Sequence, residues 1–136
     1  MAYNQPGAYV FAGRCTVINV PGTSVTVDMC VVSVDVRENG YMQFNIAWTA
    51  HVAGTGQDWA QKGSDVGNRN MNVTDNLGNR YDHVELGGVA GENVILRDNE
   101  TGYGWYLFPA AYPGATVFTF HDDDQHVAVG DIVLSR

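Results

Sequence analysis

The side chains best equipped for chemistry gather in one stretch near the C-terminal end, FTFHDDDQHVAVGDIVL, residues 118 to 134. His121, Asp122, Asp123, Asp124 and His126 set three carboxylates between two imidazoles. Imidazoles about 5 Å apart across a hairpin, with carboxylates one residue on, can ligate Zn²⁺ or a softer transition metal. The aspartates with backbone carbonyls can instead hold Ca²⁺, although their spacing is not the D-x-D-x-D-G of a calcium loop. The competing reading is turn chemistry: aspartates accept hydrogen bonds from nearby backbone N–H groups, and charge at a hairpin tip discourages edge pairing. With DDDQ as a four-residue loop, Phe118 faces Val129, Phe120 faces Val127, and His121 faces His126 on the outer side. An acidic closing turn is the preferred expectation, a calcium or zinc site its alternative, and no other cofactor is expected.

Aromatic side chains are the second candidate. In TGYGWYLFP, Tyr103 and Trp105 share one strand face while Tyr106 and Phe108 share the other, so one pair packs in a core and the other meets solvent or a partner. An outward pair of flat rings near Asn and Asp suits sugar stacking or a protein interface. Trp59 is a third ring for such a surface, whereas Trp48 is expected in the core. Catalytic signatures are missing: there is no G-x-S-x-G, H-E-x-x-H, G-x-x-x-x-G-K or C-x-x-C, and His51, His83, His121 and His126 have no convincing nucleophile beside them. An enzyme is not expected. Asn72 and Asn99 head formal glycosylation sequons, which matter only in a eukaryotic secretory pathway.

The elements that must position these groups read as strands. Sixteen glycines, abundant Val and Thr, and apolar residues alternating with period two indicate an all-β chain. In YMQFNIAWTAHV, Met42, Phe44, Ile46, Trp48 and Ala50 fall on one face and polar residues on the other. Helical spacing is sustained nowhere; DWAQK (58 to 62) and ENVIL (92 to 96) are single turns at most. With PGTS (21 to 24) as a hairpin loop, opposed residues sum to 45, pairing Ile18 with Val27, Thr16 with Met29, and Cys15 with Cys30. The two cysteines, the only two in the chain, therefore meet across a hairpin at a separation that permits a disulfide. A bulge is expected near Cys30 or Val31, where the apolar pattern shifts. DNLGN (75 to 79) makes a second hairpin turn, with Asn76 and Gly78 suited to positive φ.

Length and charge bound the rest. At 136 residues the chain makes one domain, assigned to 13–136, preceded by an arm or edge strand at 1–12. Seven basic against fifteen acidic residues give a net charge of −8, with no Lys or Arg run to follow a phosphate backbone, so neither nucleic acid nor an anionic membrane surface is an expected partner. The apolar runs are far shorter than a membrane helix, and MAYNQPGAYV lacks the basic start and apolar stretch of a signal peptide.

The succession VTDNLGNRYD, GWYLFPAAYPGATVFTF and a terminal hairpin resembles bacterial immunoglobulin-like domains of the DUF4352 type over roughly residues 13 to 134. The matching positions are Asp75, Gly78, Asn79 and Tyr81 in a D-x-x-G-N-x-Y turn, then Gly104, Phe108 and Pro109 in G-x-x-x-F-P. The resemblance implies an immunoglobulin-like antiparallel β-sandwich of about seven or eight strands, extracellular or on the bacterial surface, without established catalytic activity. The leading expectation is thus a non-catalytic extracytoplasmic binding or structural module that contacts a protein partner or itself. Self-assembly by strand addition through AYVFA (8 to 12) is one form of it. A carbohydrate-binding module using exposed aromatics, and a virus or phage surface protein, are the alternatives.

Overall fold

The computed structural model describes residues 5–61, 63 and 69–134. Residues 1–4 of the N-terminal arm, Lys62 of DWAQK and the last two residues of the expected domain lie outside the described residues. The strands in chain order are β1 (Gly7–Val10), β2 (Cys15–Asn19), β3 (Thr26–Val36), β4 (Met42–His51), β5 (Trp59–Gln61), β6 (Met71–Asp75), β7 (Arg80–Asp82), β8 (Glu85–Gly88), β9 (Val94–Leu96), β10 (Thr101–Phe108), β11 (Val117–Asp122) and β12 (Val127–Val133). A 3-10 turn, Val89–Gly91, is the one helical element among the described residues.

The larger sheet runs β1–β3–β4–β10–β8, with β2 also on β3, and the smaller runs β12–β11–β6–β7. Every pairing is antiparallel. The two sheets share one core, giving the all-β sandwich that the alternation predicts. The strands are more finely divided than seven or eight, because β1 and β2 are separate segments along the same edge of β3, and β5, β7 and β9 span three residues each.

Hairpin arithmetic holds for β2 and β3: Cys15 lies opposite Cys30, Ile18 opposite Val27, and the cysteines form a disulfide. The bulge falls at Val32, one residue beyond the expected place, where pairing with β4 passes from Val31↔Ile46 to Ser33↔Asn45. At this bulge β2 gives way to β1 along the edge: Val31 N–H donates to the Arg14 carbonyl and Phe11 N–H to the Val32 carbonyl, both at 2.9 Å. AYVFA is therefore held in its own sheet, with Tyr9 opposite Val34.

DWAQK and ENVIL are not single turns. They pair as β5 and β9, with Trp59 opposite Leu96, and this pairing buries both side chains. Burial of two large apolar groups outweighs the weak local turn signal.

The core is aromatic at its centre. Phe120 of β11 touches Phe44 of β4 and Tyr106 and Phe108 of β10, with ring centroids 5.6 to 6.3 Å apart. Trp48 is fully buried, and Met42, Phe44, Ile46 and Ala50 line the same inner face of β4. The DNLGN turn is held by its own acid: Asp75 accepts N–H bonds from Leu77 and Asn79, while the Tyr81 hydroxyl donates to it at 2.6 Å and accepts Tyr112 N–H at 3.0 Å. Gly78 alone of the two expected turn residues takes positive φ, at 87°.

Two variants probe this frame. The chain-entropy model gives about 3 kcal/mol for a loop of this size, so replacing Cys15 and Cys30 with Ala should lower the unfolding free energy in urea by that order. Tyr81→Phe strips a donor from Asp75 and an acceptor from Tyr112, and should lower it by about 1–3 kcal/mol with an unchanged denaturant slope.

Candidate functional site

The acidic turn has a different register from the one expected. His121 faces Ala128 and Asp122 faces Val127, so His121 and His126 are not opposed. The reversal occupies residues 123 to 126, with His126 at φ 56°. Two contacts start it one residue late: the Asp122 carboxylate accepts Gln125 N–H at 3.2 Å, and Asp123 N–H donates to the Asn70 carbonyl. Further along β12, Asp131 at φ 57° makes a bulge that lets Val129 and Ile132, three apart, both face the core.

Three of the five candidate ligands of this turn bond neighbouring segments. His121 Nε2 bonds the Thr74 hydroxyl at 2.8 Å, Asp123 accepts from the Asn72 amide at 2.9 Å, and Asp124 from the Asn70 amide at 2.7 Å. Asp122 lies on the core side of β11 and is buried, while His126 is exposed. Among the described residues, no three His, Cys, Asp or Glu side chains converge in a metal-holding group. Burial pushes the Asp122 carboxyl up to about 6, with the negative charges of Asp124 and Asp123 adding to it against backbone hydrogen bonds.

The aromatic candidates divide. Trp59 is buried against the core and is withdrawn from the set of surface rings. Tyr103 is 66% exposed, and Trp105, half-buried, shares its face. The glycines of TGYGWY decide this orientation. Gly102 and Gly104 point inward, where the 3-10 turn packs: a Cβ on Gly104 would sit 2.7 Å from the Ala90 nitrogen and 3.1 Å from the Trp48 ring. Only the pleat that turns glycine inward leaves room for that turn, and it turns Tyr103 and Trp105 outward. On the outer side the Trp105 indole lies against Gly87 of β8, where a Cβ would come within 2.4 Å of the ring.

Beside the two rings opens a shallow hollow of about 160 Å³, lined by Val32, Asn45, Ile46, Tyr103, Gly104 and Trp105. A polar ladder crosses the sheet from it. Asn45 Nδ2 donates to the Ser33 hydroxyl at 2.9 Å and to the Asp35 carboxylate at 3.1 Å, Gln43 donates to Asn45 Oδ1 at 2.9 Å, and Arg37 donates to Gln43 at 2.7 Å. On the other flank Tyr103 lies opposite Ala47, which lies opposite Cys30, so the disulfide extends the apolar band across the sheet. Beyond that band His51 pairs with Asp28 at 2.7 Å, a bond that raises the imidazole pKa.

No family model, curated protein or solved structure matches the chain, so the site is read from its own geometry. Asn45, Val32 and Gly87 are site residues that the sequence reading did not select. The available signal was the alternation of glycine with Tyr103 and Trp105 in TGYGWY.

The buried carboxyl of Asp122 makes a pH-dependent prediction. Its folded pKa of about 6 lies above the ordinary 3.8, so the stability it contributes is full below about pH 4 and is lost as pH rises through 6. Asp122→Asn keeps an acceptor for Gln125 without the charge. Thermal melts should show the variant gaining on the parent between pH 4 and pH 7, by up to about 3 kcal/mol.

Proposed function

We propose that the chain is a non-catalytic, immunoglobulin-like binding module acting outside the cytoplasm, and that it recognises its partner on the outer face of the larger sheet around Tyr103 and Trp105. The observation that carries this reading is the outward aromatic pair, set between inward glycines, with the Trp105 indole seated on Gly87. Surface rings at the centre of an apolar band with polar rims are the usual anchors of recognition. Val10 and Val17, both exposed, continue the apolar band toward the edge strands.

A non-catalytic role is supported by how the reactive groups are used: His51, His83 and His121 each bond a structural partner, Asp28, the Met71 carbonyl and Thr74. The formed disulfide supports an oxidising compartment. The D-x-x-G-N-x-Y and G-x-x-x-F-P motifs, through their resemblance to bacterial immunoglobulin-like domains, support a place at the cell surface. Self-assembly through AYVFA is the less favoured form, since β1 already pairs along its length with β3 of its own sheet.

The test is retention on insoluble envelope material from Gram-positive and Gram-negative bacteria, which presents proteins and glycans together. The wild-type protein should sediment with one of these, and Tyr103→Ala should lose about tenfold in affinity with an unchanged melting midpoint. Equal retention of the variant would move recognition off this face.

A further inference from the structure

We infer that the occupant of this face is an uncharged polysaccharide, one sugar ring of which seats in the hollow beside Tyr103 and Trp105. The inference rests on the binding reading above and names its ligand class. Three features of the hollow and its surroundings carry it: size, chemistry and charge.

The hollow is small. At about 160 Å³ it takes one compact ring, well below the few hundred Å³ of pockets for larger ligands, and is far too small to seat a helix. Its lining is mostly apolar, with Tyr103 and Trp105 offering flat rings to the C–H face of a pyranose, while the Ser33 hydroxyl and Asp35 carboxylate that bond Asn45 lie in the adjoining ladder, where a sugar's hydroxyls could reach them. Those polar groups also arrive ordered. Asn45 is fixed by bonds to Ser33, Asp35 and Gln43. The bonds consume both amide hydrogens of Asn45, whereas Ser33 has a hydroxyl proton of its own and Asp35 a second oxygen to offer a ligand. Side chains already held cost little further entropy on binding.

Charge selects among glycans. No Lys or Arg lines the hollow, the ladder beside it carries one acid, Asp35, and one base, Arg37, and the chain as a whole carries a net −8. A uronate, sulfate or phosphate group would find no cation in the hollow and an acidic chain around it, so the favoured chain is neutral. Tyr103 and Trp105, two residues apart on one face, stand about 7 Å apart along the strand, which lets both rings contact the same short stretch of sugar.

The experiment uses the full chain and two probes, neutral polysaccharides (soluble glucans, mannan, galactan and xylan) and the bacterial envelope fractions before and after protease digestion. Binding is followed by affinity electrophoresis and by tryptophan fluorescence. At least one neutral polysaccharide should bind, polygalacturonate should not, and Tyr103→Ala and Trp105→Ala should each weaken binding by about tenfold or more. Tyr103 is mostly exposed, so Tyr103→Ala reports on the ring should Trp105→Ala fail to fold. Gly87→Ala, which displaces the indole without removing it, should weaken binding as well. Envelope retention that needs Tyr103 but is abolished by protease, with no polysaccharide bound, would overturn the glycan and leave the binding module standing. Retention indifferent to both rings, or none at all, would overturn both.

Discussion

The contact on which the rest of the molecule depends is the meeting of Phe120 with Phe44, Tyr106 and Phe108 across the two sheets. These rings weld β11 to β4 and β10, and in doing so fix which side of each strand is inside. A pleated strand has no further freedom once one face is assigned. With Tyr106 and Phe108 inward, Tyr103 and Trp105 must be outward; with Phe44 and Ile46 inward, Asn45 must lie beside them. His83 completes the cluster: its ring packs edge-on against Tyr106 while Nδ1 donates to the Met71 carbonyl, which gives a buried ring nitrogen its partner.

How much of this was legible varied with the range of the forces involved. β4 was plain because its alternation is unbroken for ten residues, and the cysteine pairing followed from one turn and a sum. The inner and outer faces of β10 were not assigned, since both carry aromatics and the deciding contact, Gly104 against Ala90 and Trp48, joins segments distant in sequence. Trp59 and Leu96 were unreadable as partners for the same reason, being brought together by burial and not by local propensity. The register of the last hairpin slipped because the buried position of Asp122 contradicts the ordinary rule that carboxylates sit outside.

The acidic residues show two ways of holding a carboxylate in this fold. Burial acts on Asp75 too, pushing its pKa up, but donors from Tyr81, Asn79 and Leu77 outweigh it and the carboxyl ends below its ordinary value. Asp122 meets too few donors and ends above it. Aspartates of both hairpins thus join segments: Asp75 closes its turn and ties it, through Tyr81, to the segment at Tyr112, while Asp123 and Asp124 accept from the side-chain amides of Asn72 in β6 and Asn70 just before it.

The division of one β3 edge between β1 and β2 has a mechanical consequence. A force applied at Gly7 and directed away from the sheet would peel β1 from Val36 toward Ser33, breaking its hydrogen bonds one after another and drawing the buried Tyr9 ring out of the core. Freed of the sheet, residues 7 to 14 extend by roughly 25 Å. The load then reaches Cys15, crosses the disulfide and enters β3 at Cys30, leaving the hairpin between them slack. Beyond this point the pull is carried by β3, gripped along its length by β4, and further yielding must tear the centre of the larger sheet. In its oxidised form the N-terminal edge is a short extensible leash with a covalent stop.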